Sequence, residues 1–393
     1  MSTFLDPRVD RKTDSAALAE SLRLAGEDTR TLHSLVHSRE LADITAVLVD
    51  EILFRCDPPG NTEPVTITMD VTRGEERRGV SFLVQAGRPL CLTDADANTP
   101  AALHIEFDVI DLVRELFGPA GPTGPGGPAS RRTALQFVPE SMTAEGVRPL
   151  GPIMAAAGTV LTGCSSDHPG LARLAVRHDS DKWGGLHWFA PLYERHLHHL
   201  RTQPVRVLEI GIGGYDNPAF GGGSLKMWKH YFPRGLVFGV DLFDKSGIDQ
   251  QRLRTLKADQ SDPAQLLDIA ERHGPFDLVI DDGSHVNEHI RTTFRTLYPH
   301  VRPGGLYVIE DLWTSYAPGF GGNENPEACG TTALGLVKQL VDDLHYEEQP
   351  TKPAAGFGAS LAGLHLYRNI AFLEKGRNAD GGIPDWIRHA AGS

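Results

Sequence analysis

Val207-Leu208-Glu209-Ile210-Gly211-Ile212-Gly213-Gly214 decides the reading of this 393-residue chain. Branched apolar residues run straight into glycines. That is the pattern of a buried strand whose chain then turns sharply and lets a ligand approach the backbone. A nicotinamide turn wants GxGxxG. Gly211 and Gly213 meet its first two glycine positions, but Asp216 stands at the third. What remains is E-x-G-x-G. Glu209, at the strand end, suits a ligand with a cationic amino-acid part. A pyrophosphate wants a helix N-terminus free of carboxylates.

Outward from this turn, strands and helices alternate. Val205–Ile210, Leu236–Val240, Arg254–Lys257, Phe276–Ile280 and Gly305–Ile309 read as buried strands. Helices are expected to open near Ser224 and to run from Asp262 to His273 and from Asn287 to Tyr298. Asp262 is an N-cap with Pro263 at the first helical position and Gln265 completing a capping box. Leu364–Arg368 and Ala371–Leu373 flank a turn at Asn369 and read as a closing antiparallel pair. The fold class implied is α/β, a mainly parallel doubly wound sheet. Ligands of such sheets bind at the carboxyl ends of the strands. Asp241 ends the second strand, where an acid can hold both ribose hydroxyls. Asp259 and Gln260 end the third, where a carboxylate and an amide can read an adenine. With Gly211 and Gly213 these positions imply a Rossmann-like class I methyltransferase domain using S-adenosylmethionine (SAM).

The fourth strand runs into Asp281-Asp282-Gly283-Ser284-His285 and the fifth into Glu310-Asp311. Asp281 is placed with the cofactor residues. The other carboxylates would repel one another at one edge unless a divalent cation lay between them. All-oxygen donors indicate a hard ion such as Mg²⁺. Asp282, Glu310 and Asp311 are read as its ligands. His285, three residues beyond Asp282 across a glycine, is read as the general base.

The net charge of −13, from 51 acidic and 38 basic residues, disfavours nucleic acid and anionic membranes as partners. No secretory signal, membrane span or CxxC pair is read, so a cytoplasmic location is expected. Residues 1–160 read as an α+β auxiliary or oligomerisation domain and 161–393 as the methyltransferase domain. In the first, Ala16–Leu24 and Thr31–Phe54 look helical. Strands follow at Pro64–Val71, Gly79–Val84 and Ala101–Phe107, then a helix at Val109–Phe117. A Gly/Pro-rich loop is expected at 118–129.

The stretches SDKWGGLHWFAPLYERHL (Ser180–Leu197), VLEIGIGG (Val207–Gly214), VIDDGSH (Val279–His285) and VIEDLW (Val308–Trp313) carry a resemblance. From about Arg177 to Leu373 the chain is similar to the macrolide-sugar O-methyltransferases of actinomycete antibiotic pathways, especially those acting on demethylmacrocin and mycinamicin deoxysugars. The resemblance implies SAM and Mg²⁺ as cofactors and a glycosylated macrolide as substrate. It implies Asp282, Glu310 and Asp311 as the Mg²⁺ site and His285 as the base. It also implies that Asp181 and Lys182 lie in a segment closing over SAM, and that the protein is a homo-oligomer, a dimer or tetramer. The motifs leave open a catechol-like acceptor in place of the sugar. A nicotinamide oxidoreductase is the more distant alternative.

Overall fold

A computed structural model of the chain describes residues 7–26, 28–93, 103–118, 131–135, 150–164, 169–183, 186–328, 330–349, 356–384 and 386–387. Two units emerge. One comprises Met1–Gly170, Leu197–Pro204 and His230–Arg234; the other comprises Leu171–His196, Val205–Lys229 and Gly235–Ser393.

In the first unit, helices α1 (Pro7–Ala25), α2 (Thr29–His37) and α3 (Leu41–Arg55) precede a five-stranded sheet. The single helix expected from Thr31 to Phe54 is two. Ser38 caps α2 by bonding its hydroxyl to the Leu35 carbonyl, and Glu40 is extended at ψ 134°. Such local side-chain bonds compete with helix continuation. The strands are β1 (Val65–Arg73), β2 (Glu76–Val84), β3 (Cys91–Thr93), β4 (Leu103–Asp108) and β5 (Arg131–Leu135), in the order β3-β2-β1-β4-β5. Helix α4 (Val109–Phe117) follows β4 directly, capped by the Asp108 carboxylate on two backbone N–H groups. Alternate residues of β1, Ile67, Met69 and Val71, are fully buried with Leu48 and Ile52 of α3. That is the half-buried period of two that a one-sided sheet requires. Helix α5 (Leu150–Gly163) was not legible in the sequence, and position 160/161 lies inside it. Apart from Gly118, the Gly/Pro-rich loop expected at 118–129 lies outside the described residues.

The second unit opens with α6 (Leu171–Arg177) and α7 (Ala190–Leu197). The alternation then runs β6 (Arg206–Ile210), α8 (Gly223–Tyr231), β7 (Leu236–Asp241), β8 (Leu253–Lys257), α9 (Pro263–His273), β9 (Phe276–Asp281), α10 (Asn287–Leu297) and β10 (Val301–Ile309). Helix α11 (Ala333–Leu344) and the hairpin β11 (Leu361–Tyr367) with β12 (Ile370–Lys375) complete it. The seven strands lie in the order β11-β12-β10-β9-β6-β7-β8. The last five of these are parallel, and β12 pairs antiparallel with β10 and with β11. This is the mainly parallel doubly wound sheet expected. Strands β6 and β9 are buried almost throughout, as sheets covered on both faces demand. Helix α9 buries Leu266, Ile269 and Ala270, and α10 buries Ile290, Phe294 and Leu297, at helical spacing. Strand order reverses between β6 and β9, so their carboxyl ends open the crevice where such sheets bind ligands.

Candidate active site

Gly211 leaves β6 at φ +93°, and a Cβ there would stand 2.1 Å from the Asp282 carbonyl oxygen. Only glycine lets the two loops that follow β6 and β9 approach so closely. Gly213, at φ +74°, has open space where a side chain would project. Asp241 at the end of β7 pins this loop. One carboxylate oxygen accepts the Ile212 N–H at 3.0 Å and the other the Phe243 N–H at 2.9 Å.

Beneath the loop is a closed cage of charge. Lys182 is fully buried, and its Nζ donates to Asp282 Oδ2 at 2.8 Å and Glu310 Oε1 at 2.6 Å. It also pairs with Glu209 Oε1 at 3.2 Å. The Lys182 carbonyl accepts the N–H groups of Phe189 and Ala190, and the rings of Trp183 and Trp188 meet edge-on at 4.9 Å. The segment is thereby folded back on itself with the ammonium inward. Burial alone would push the Lys182 pKa down, but Asp282, Glu310 and Glu209 outweigh it and hold it well above the ordinary lysine value. Glu209 Oε2 accepts from Ser224 Oγ at 2.9 Å and Trp228 Nε1 at 3.0 Å. Burial, opposed by Lys182, pushes its carboxyl up to about 7. The Tyr193 hydroxyl donates to Glu310 Oε1. Burial and the Asp282 charge push Glu310 up as well.

On the other side of Asp282 the site is open. Asp282, His285 and Asp311 bring one donor atom each within 4.8 Å of one another; so do Glu209, Asp282 and Glu310. His285 Nε2 lies 3.7 Å from Asp311 Oδ2, and His187 Nε2 lies 3.6 Å from Asp311 Oδ1. His285 and Asp311 both sit in the left-handed region, at φ +58° and +53°. Strained backbone of this kind is held where surrounding structure over-determines it, often at functional sites.

The expected ligand trio is therefore divided, with Glu310 on the inner side, Asp311 on the outer and Asp282 shared. The residues fit a hard divalent cation on one direct observation. Among the described residues, Glu310 Oε2 is a buried carboxylate oxygen without a hydrogen-bond partner. An anionic oxygen left in that state is costly unless a cation takes it. For SAM, the corresponding fit is the open space at Gly213; Glu209 is buried and already engaged by Lys182, Ser224 and Trp228.

The remaining predicted residues sit around this centre. Gln260 donates from Nε2 to Asp281 Oδ1 at 2.6 Å and accepts the Ser284 N–H at 2.9 Å, so both ends of its amide brace the turn after β9. Asp281 is buried and pushed up to about 7 by burial, against the Gln260 hydrogen bond. Asp259 accepts from Ser261, whose hydroxyl and N–H hold it below the usual carboxylate range. Asp181 is exposed, and its carbonyl accepts the His187 N–H at 3.2 Å. Sequence reasoning missed Tyr193, Trp228 and Asn369. Asn369 Nδ2 donates to Asp311 Oδ1 at 2.8 Å, while its Oδ1 accepts the Trp313 N–H at 2.8 Å. The one signal available was Ser224 and Trp228 four apart on α8, which aims both at Glu209.

Residues 18–124 match the family described as MycE methyltransferase N-terminal. The chain is 47% identical over 386 residues to mycinamicin VI 2''-O-methyltransferase of Micromonospora griseorubida, covering 95% of this chain and 94% of that protein. It is 46% identical over 377 residues to demethylmacrocin O-methyltransferase of Streptomyces fradiae, covering 95% of each. A solved structure of MycE methyltransferase in complex with Mg, S-adenosylhomocysteine (SAH) and mycinamycin VI superposes with a TM-score of 0.88 at 43% identity, covering 96% of this chain and 99% of that one. Similarity of this extent, running through both units, makes the chain a member of the O-methyltransferase family that contains the mycinamicin VI and demethylmacrocin enzymes.

Proposed function

We propose that the protein transfers a methyl group from SAM to a hydroxyl of a deoxysugar carried by a macrolide, with Mg²⁺ at Asp282, Glu310 and Asp311. The observation that carries this reading is the orphaned Glu310 Oε2 beside the open Asp282–His285–Asp311 face, at the strand-order reversal. Bound Mg²⁺ supplies Lewis-acid chemistry, which stabilises a developing alkoxide. This chain's own residues do the rest. His285, half-exposed and beside Asp311, takes the proton of the acceptor hydroxyl. Asp241, Gln260 and Asp259 shape the cofactor crevice. Glu209 lies under it, and Lys182 keeps the inner carboxylates together. Methyl transfer in line needs no covalent enzyme intermediate, so positioning supplies much of the rate.

The same reading covers the finer points of organisation. The first unit serves as an auxiliary domain, and the protein works as a dimer or tetramer in the cytoplasm, which ultracentrifugation would read. Among the described residues no helix is long and apolar enough to cross a membrane. The deciding experiment incubates the protein with SAM, Mg²⁺ and a panel of glycosylated macrolides and maps the product by mass spectrometry and NMR. The expected result is one added methyl on a sugar oxygen, abolished by EDTA and restored by Mg²⁺. Full activity after chelation would remove the metal from the reading. Methylation of a catechol in preference to every glycoside would replace the acceptor.

A further inference from the structure

His187 lies on two features at once. Its Nε2 is 3.6 Å from Asp311 Oδ1, and its ring lines a cavity of about 930 Å³. That separation is too long for a hydrogen bond, so imidazole and carboxylate face each other without closing on one another. The cavity is walled by Trp188, Phe189, Leu312, Trp313 and Tyr316 and reaches Asn369, the residue that holds Asp311. It falls at the upper end of the size range of small-molecule sites, and its walls are of the expected kind, mainly apolar with few convergent polar groups. His187 is buried and fixed. Its ring stacks on Phe189 at 4.5 Å and 12°, and its backbone N–H donates to the Asp181 carbonyl. His285 approaches the other oxygen of the same carboxylate, so Asp311 has one imidazole on each side.

We propose that His187 is an acceptor-binding residue. Its imidazole hydrogen-bonds the sugar hydroxyl next to the one that is methylated, while the cavity takes the apolar body of the acceptor. The two histidines then divide the labour: His285 removes a proton, and His187 fixes which of two neighbouring hydroxyls is presented. This rests on the glycoside acceptor proposed above.

The test compares wild type with His187→Ala and His187→Gln, the latter keeping an N–H donor. Steady-state kinetics on the glycosylated macrolide are read together with calorimetric binding of SAH and of Mg²⁺. For His187→Ala, KM for the glycoside should rise about tenfold, the size of one lost hydrogen bond to substrate. The methyl should also spread over both neighbouring oxygens, with SAH and Mg²⁺ affinities unchanged. His187→Gln should recover part of KM and of the selectivity. Unchanged KM and a single product in both variants would overturn the proposal, as would a loss confined to SAH or Mg²⁺ binding. If wild type methylates no glycoside, the acceptor reading itself fails; if wild type is active and the variants match it, only the role of His187 fails.

Discussion

The two neighbourhoods that share Asp282 are built on opposite principles. On the inner side, Glu209, Asp282 and Glu310 surround one buried ammonium, and Ser224, Trp228 and Tyr193 donate to the carboxylates. On the outer side, Asp311 faces two imidazoles at separations too long for hydrogen bonds and, among the described residues, its carboxylate is held by Asn369. Glu310 and Asp311 are adjacent in sequence, yet they serve different sides. The left-handed backbone at Asp311 swings the chain round after β10, and aspartate is among the few residues that tolerate it. The lesson is that an acidic cluster read along a sequence need not have one environment, even where its members share one ion. Its members acquire their roles from which cations and donors reach them.

If the outer side carries the chemistry, the largest effect belongs to His285. His285→Ala should slow turnover by roughly 10²–10⁴-fold, the usual contribution of a positioned base. SAH binding, read by calorimetry, should be nearly unchanged. Turnover equal to wild type would move the base elsewhere, with His187 the next candidate. If the inner side is a self-contained cage, Lys182→Met should act on the fold. The buried Glu209 and Glu310 and the half-buried Asp282 would lose their cation, and breaking one partner of a buried pair costs about 3–5 kcal/mol. Urea unfolding of the ligand-free protein measures this. A midpoint equal to that of wild type would mean that the cage is not closed by Lys182.

The inner side should also leave a mark on the pH dependence of stability. Asp281 is raised from 3.8 to about 7, with burial the leading cause. An acid whose native value is raised favours the fold while protonated. Its contribution is fully present below about pH 4 and is lost as pH rises through about 7, on the order of 4 kcal/mol by linkage at the upper bound. Asp281→Asn keeps a neutral side chain between Gln260 and Tyr307. In the ligand-free protein it should flatten the fall in stability between pH 4 and 8. Equal slopes for variant and wild type would place that pH dependence on other groups.

The contrast between the two sides also explains what was readable in the sequence. Periodicity gave the five parallel strands and their helices, because buried strands and amphipathic helices have distinct repeats. Helix α5 escaped because LGPIMAAAGTVLTG is apolar nearly all round and carries Gly and Pro. The glycine turn, Glu209, Asp282 and His285 were legible because each follows a strand end within a few residues. Lys182, Tyr193 and Asn369 reach their carboxylate partners across 27 to 128 residues of sequence, on segments whose inward direction depends on tertiary pairing. Their residue types carry no local signal. The bracing role of the Gln260 amide was hidden by the same limit, because its partners Asp281 and Ser284 lie more than twenty residues away.

The smallest effect tests the hydrogen bond that Asn369 gives to Asp311 on the outer side. Asn369 sits at φ +71° in the turn between β11 and β12. One end of its amide holds Asp311 Oδ1 and the other holds the Trp313 N–H. Its carbonyl also accepts the Leu312 N–H at 3.2 Å. A residue that orients a metal ligand typically costs 10–100-fold in metal affinity when removed. Asn369→Ala should therefore weaken Mg²⁺ binding by roughly that factor, lowering activity at limiting Mg²⁺ and recovering it at saturating Mg²⁺. Asn369→Gly, which suits the left-handed turn but lacks the amide, separates backbone from side chain. If the glycine variant binds Mg²⁺ as tightly as wild type, the amide does not orient Asp311. If both variants weaken binding alike, the open side depends on a hydrogen bond supplied by the far hairpin, whereas the inner cage would be untouched.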